Sequence, residues 1–202
     1  MRTENGQGWG RALARLALVL VVAMSAVACD EFFEVQNPNV IDASTVDPVA
    51  DGTIFSRSAL QTLAAYYSSL IVYVAWFTDE GRVGDTFPTR NEYGRRQVVE
   101  ENGTHNTEVW FPLTRSISQG EQVLEILGGV AGQELNLARA AMTSGFGLTL
   151  QGEAFCEGTM RGPGGAPGNL MTVQQLLETA INRFAQAIAA AGAASGAEAT
   201  NI

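Results

Sequence analysis

The sequence predicts an all-α fold built on close helix hairpins. Three observations carry that expectation. Apolar residues recur at steps of three and four over long stretches, small residues stand where two of those stretches would face each other, and clusters of glycine and proline divide them. With 202 residues, 46% of them hydrophobic, the chain is long enough for one domain with a real core.

The first element is a targeting segment. Arg11 and Arg15 precede the apolar run Leu16 to Met24, and Ala26-Val27-Ala28 lead into Cys29. The run is shorter than the ~20 apolar residues of a spanning helix, so residues 1–28 read as a signal peptide cleaved before Cys29. A cysteine directly after the small residues resembles the bacterial lipobox, in which the thiol and the freed amine are acylated. Several acyl chains anchor far more firmly than one. Cys29 is therefore the expected lipidation site, and the other reading is a plain signal peptide with an incidental cysteine. Residues 29–50 follow as a lipidated tether, with Pro38 and Pro48 breaking any helix and Phe32, Phe33 and Val35 able to dock. Residues 51–202 are left for the helical domain.

Within that domain Thr53 is placed to cap a helix whose apolar face is Leu60, Leu63, Tyr67, Leu70, Val74 and Phe77. From Thr78 to Glu108 the sequence turns polar, and Gly81, Gly84, Pro88 and Gly94 argue for a long loop whose charges pair on the surface or meet a ligand. A second helix is expected from Thr107 to Leu127, with Val109, Leu113, Ile117, Leu124 and Leu127 on one face, Pro112 in its first turn and Gly128-Gly129 ending it. The last pair runs from Leu135 to Ala191 around a loop from Glu157 to Met171, with Thr172 and Gln175 forming a capping box. In its second member Ala180, Phe184 and Ala187 give A-x3-F-x2-A, the spacing by which a tetratricopeptide-type helix seats a ring between small residues of its neighbour. Ala141, Ser144, Gly145 and Leu148 supply those small positions. Burial of Leu176, Leu177, Phe184 and Ile188 should contribute about 1.5–3 kcal/mol for each side chain fully removed from water. After Ala191 the chain reads as interrupted, with no closing cap.

Charge and residue usage narrow the chemistry. The net charge is −9, and removal of residues 1–28 takes away three Arg and one Glu, leaving 9 basic against 20 acidic residues, or −11. Nucleic acid is not an expected partner. All twelve basic residues are Arg, so a Schiff-base or P-loop lysine is absent. One histidine, His105, and two distant cysteines offer no zinc spacing, and no cofactor is expected. Asp79 and Glu80 are neighbours that point apart, unlike the facing carboxylates of glycoside hydrolysis. No G-x-S-x-G element or triad is present. The glycine-rich stretch Gly162 to Gly168 lacks G-K-[ST] and reads as a flexible turn, so no enzyme activity is expected. Cys156 reads as a small buried apolar residue, or as a disulfide partner for a cysteine outside this sequence.

Taken in order, the lipobox cysteine, FFEVQNPNVI, the helix running into TDE with DTFPTRNE after it, and the hairpin LARAAMTSGFGLTLQGEAFCEG with LLETAINRFAQAI resemble the N-terminal part of SusD/RagB nutrient-uptake lipoproteins. The resemblance covers nearly all of Cys29 to Asn201. It implies a predominantly helical SusD-like fold with tetratricopeptide-like pairs, here truncated, since that family is usually more than twice as long. It also implies outer-membrane placement through a lipid anchor on the cell surface, and a SusC-type TonB-dependent transporter as partner. The ligand would be a glycan or another nutrient. Aromatic faces stack on sugar rings, and Tyr73, Trp76, Phe87, Tyr93 and Trp110 cluster around the long loop, although core packing also accounts for them. The candidate ligand residues are Trp76, Asp79, Glu80, Arg82, Asp85, Tyr93 and Trp110. A helical-repeat envelope lipoprotein that serves as a protein scaffold is the alternative.

Overall fold

A computed structural model describes residues 47–194. Cys29, the signal peptide, the tether up to residue 46 and the end of the chain after residue 194 lie outside the described residues. The described part is mostly helical: α1 (Pro48–Phe77), α2 (Pro88–Gly94), a π-helical turn (His105–Trp110), α3 (Phe111–Leu127), α4 (Glu134–Ala154) and α5 (Val173–Ala193), with a short ribbon of β1 (Glu157–Thr159) and β2 (Leu170–Thr172).

Helix α1 starts earlier than expected. Asp47 is its cap, the carboxylate accepting from the backbone N–H of Val49 at 2.9 Å and of Ala50 at 3.2 Å, and Pro48 supplies the first helical φ. Residues 48–50, expected in the tether, are therefore helix. Thr53 is no cap: it lies inside the helix, where its hydroxyl accepts from Asn136 of α4 at 3.2 Å. The buried face is also rotated, running through Gly52, Ser56, Ala59, Leu63, Tyr66, Leu70 and Tyr73, while Tyr67, Val74 and Phe77 are 50%, 41% and 44% exposed. The cause is the breadth of the apolar surface on α1. By length and composition the helix would even cross a bilayer. An apolar stripe that wide does not determine which part faces inward; the small residues that admit α3 and α4 do.

The polar stretch after α1 contains regular structure that its glycines had argued against. Pro88 opens the seven-residue α2, and His105–Trp110 winds as a π-helical turn directly before α3. Pro112 has no N–H for a normal α bond and its ring crowds the carbonyl one turn back, so a widened turn precedes it. Beyond that point α3 follows expectation: Val109, Leu113, Ile117, Leu124 and Leu127 are all buried, Gly128 caps the helix, and Gly129 takes a φ of 79°.

Helix α4 is the centre of the packing, touching α1, α3 and α5. Its glycines set the spacing. A Cβ on Gly147 would stand 2.6 Å from Cγ1 of Ile117 on α3, and one on Gly145 2.9 Å from Cε1 of Phe184 on α5. Ala180 and Ala187 are buried on either side of the half-buried Phe184, as the A-x3-F-x2-A spacing requires. Glu121 of α3 ties the seam together by taking both Nε and Nη2 of Arg183 at 2.7 Å and a hydrogen bond from Ser144. Three expected burials are incomplete here. Ile188 is 68% exposed on the outer face of α5, and Phe184 and Leu177 are only partly enclosed.

Between α4 and α5, β1 and β2 pair antiparallel with Gly158 opposite Met171. The glycine-rich turn is held, contrary to the flexible turn expected: Glu125 of α3 accepts from the Gly164 N–H at 2.9 Å and from Arg161 at 2.7 Å. Those two bonds pull the Glu125 carboxyl below its ordinary range, the Gly164 N–H contributing most. Thr172 and Gln175 form the expected capping box.

Candidate functional site

The site lies where the C-terminal end of α1, α2, the π-helical turn and the end of α4 meet. The α1 period brings Leu70, Tyr73 and Phe77 to one side, α2 contributes Tyr93, and the π-helical turn contributes His105 and Val109. Phe155 closes the set from the far end of α4. These residues line a cavity of about 350 Å³, inside the range of ordinary ligand pockets, about 300–1,000 Å³. Its wall is apolar, with the Thr78 hydroxyl and the Glu153 carboxylate as polar groups at the lining.

A continuous chain of rings forms the floor and one side. Trp76 meets Tyr73 edge-on at 5.1 Å between centroids, and Tyr73 tilts against Tyr93 at 4.7 Å. Tyr93 approaches His105 at 6.2 Å, His105 approaches Phe155 at 5.8 Å, and Phe155 meets Trp110 edge-on at 5.0 Å. Edge-on and tilted contacts of this kind add to burial alone.

The hydroxyls of Tyr73 and Tyr93 are satisfied inside the protein. The Tyr93 hydroxyl shares a 2.7 Å hydrogen bond with Nδ1 of His105, and Tyr73 donates to the Glu108 carboxylate. Burial pushes the Tyr73 phenol up to about 12, with the Glu108 carboxylate adding to that and Arg90 opposing it. Burial also lifts Tyr93 well above the ordinary tyrosine range and depresses the His105 imidazolium. At neutral pH the site thus presents uncharged rings and a neutral imidazole.

Of the seven candidate ligand residues only Tyr93 lines the cavity, together with Tyr73 from the wider aromatic cluster. Trp76 and Trp110 belong to the ring chain behind it, each half-buried. The four charged candidates lie elsewhere. Asp79 pairs with Arg96 and has a left-handed φ of 65°. Glu80 and Arg82 are exposed. Asp85 pairs with Arg90 at 2.9 Å and accepts from the Phe87 N–H at 2.8 Å, which together hold its carboxyl below the usual range, Arg90 contributing most. The surface ion-pair reading of this stretch therefore describes Asp79 and Asp85. Phe87 is 60% exposed, with the Arg90 guanidinium 5.1 Å from its ring centroid.

Sequence reasoning missed His105 and Phe155 as members of the site. Phe155 carried one usable signal, its position just past the end of a buried helix. The same geometry corrects the reading of Cys156. Phe155 is extended (φ −131°, ψ 151°), so successive side chains turn to opposite sides: the phenyl ring goes inward and Cys156 is exposed. No group of three or more His, Cys, Asp and Glu is placed to hold a metal among the described residues. The chain matches no protein-family model, no curated protein and no solved structure.

Proposed function

We propose that the protein is a nutrient-binding lipoprotein of the SusD/RagB type, which captures a glycan or related nutrient at the outer membrane and hands it to a SusC-type TonB-dependent transporter. The carrying observation is the aromatic-lined cavity of about 350 Å³ between helical elements. Ring faces held by packing, with their hydroxyls already bonded, stack on the apolar faces of pyranose rings at little cost in ordering. The order of sequence segments from Cys29 to the hairpin supports the family reading, and the helix pair with Phe184 seated on Gly145 supports its tetratricopeptide-like part. On this reading Cys29 carries the lipid anchor and the protein binds without catalysing.

Phe77 gives the direct test, because it lines the cavity yet is 44% exposed. Phe77→Ala should leave thermal stability within about 0.5 kcal/mol and weaken retention of the full chain in affinity gels containing the glycan that retains the wild type. Unchanged retention would remove the cavity from the function. The anchor is tested separately: Cys29→Ser should abolish lipid labelling and release the protein from the membrane fraction.

A scaffold role has its own observation. Ile181, Ile188 and Phe146 stand 65%, 68% and 49% exposed on the outer side of the α4/α5 pair, the kind of apolar face that a further repeat or a protein partner covers. Co-purification with an envelope assembly complex, with no transporter and no glycan retention, would favour that reading.

A further inference from the structure

A second groove, more polar than the first, runs between α1 and the start of α3. It measures about 550 Å³, and its lining includes Ser58, Gln61 and Ser69 of α1, with Thr107 and Arg115 across from them. Pro112 and Ala65 contribute to an apolar share of the lining that is no smaller than the polar one. Tyr66 also lines it, 2% exposed, and its hydroxyl has no hydrogen-bond partner among the described residues. A buried phenol without a partner is costly, and such groups call for an explanation. Burial keeps it un-ionised far above neutral pH, so it remains a donor.

Charge completes the description. In a chain of net charge −9, Arg115 is an exposed cation with no ion pair among the described residues. The one carboxylate at the groove, Glu108, is already engaged: it accepts from Tyr73 and stands 3.9 Å from Arg90. Tyr73 lines the aromatic cavity and Glu108 the polar groove, so their hydrogen bond divides the two.

We infer that this groove is a binding site for a small hydroxylated carboxylate, a sugar acid of the uronate kind. The Tyr66 phenol would gain its missing acceptor and the carboxylate would sit bidentate on Arg115, while the ring hydroxyls exchange hydrogen bonds with the polar side chains of the groove within one ring's reach of these two. Ser58 and Ser69, about 16 Å apart along α1, are not reached together. The site is built entirely from residues 58–115, and the inference does not rest on the aromatic cavity holding a nutrient.

The test is titration of the full chain with galacturonate, galactose and acetate, followed by calorimetry and thermal shift. Galacturonate should bind saturably and at least about 10-fold more tightly than either fragment of its chemistry. Arg115→Gln should weaken it by about 10- to 100-fold, the range for a hydrogen bond to a charged group. Tyr66→Phe should weaken it by about 3- to 10-fold while leaving the melting temperature of the free protein unchanged or higher, because it removes a buried hydroxyl that nothing satisfies. Phe77→Ala should not change it, which separates this site from the aromatic one. Absence of saturable galacturonate binding would overturn the inference. So would equal binding of galactose or acetate, unchanged affinity in both variants, or a free Tyr66→Phe protein that melts lower than wild type.

Discussion

The seams that α4 makes with α3 and α5 and the ring cluster at the end of α1 hold the protein together by opposite means. At the seams glycine and alanine bring backbones together: Gly147 accepts Ile117 of α3, while Gly145 accepts the Phe184 ring of α5 against its Cα and Gly152 accepts Leu177. At the other end large rings hold the elements apart, and their hydroxyls are tied to His105 and Glu108. Close backbone approach leaves no room for a ligand; rings braced edge-on leave a cavity of about 350 Å³. Scaffold and candidate site are thus divided along the length of α4, whose middle lies in the seam and whose last turn reaches the cavity at Glu153 and Ala154.

The largest effects should come from filling the seam. Gly147→Val would drive a branched side chain into Ile117, where even a Cβ stands 2.6 Å from Cγ1. A loss of about 3 kcal/mol or more is expected, at the upper end of overpacking costs. Chemical denaturation would measure it. A loss under about 1 kcal/mol would show that α4 moves to make room, and that the seam is not the rigid half. Phe184→Ala comes next. A fully buried Phe loses about 3–5 kcal/mol on truncation; this ring is only partly enclosed, with Phe146 edge-on at 5.1 Å on its outer side. About 2 kcal/mol is therefore expected. A change within measurement error would mean that the ring is not seated on Gly145.

The same contrast explains what the sequence made legible. Periodicity located α3 because a narrow apolar stripe has one way to face inward, and the spacing of small residues and of Thr172 and Gln175 located the seam and the capping box. On α1 it misled, since Tyr67, Ile71 and Val74 extend the apolar surface beyond what α3 and α4 can cover. Ile188 failed for a similar reason: α5 carries apolar residues on more than one side, and spacing alone does not say which is covered. The ring cluster was half legible. Tyr73, Trp76 and Tyr93 lie close enough in sequence to suggest one another, whereas Phe155 joins only after the chain has run through α3 and α4. For the charged residues the surface-pairing reading describes Asp79 and Asp85, which satisfy arginines of their own loop and do not line the cavity.

The smallest effect should come from His105, the ring of the cluster that titrates nearest neutral pH. Burial depresses the His105 pKa from its ordinary value near 6.5. Glu153, which lines the same cavity, would favour the charged ring, so the direction shows that burial prevails. Above pH ~6.5 folded and unfolded chains both hold neutral imidazole, and His105 costs nothing. As the pH falls through that value the unfolded chain takes up a proton before the folded one does. Unfolding is then favoured, and the penalty is complete once the pH is below the folded pKa. The melting temperature should therefore fall between pH 7.5 and 5.5. Asp85 does not confuse that window, because its carboxyl sits below 3.8 in the folded state and its contribution is lost only in stronger acid. His105→Gln keeps a side chain able to hydrogen-bond Tyr93 and cannot titrate, so it should flatten the pH dependence. A variant that melts with the same pH slope as the wild type would place the titration elsewhere and leave the ring cluster as insensitive to pH as the seam.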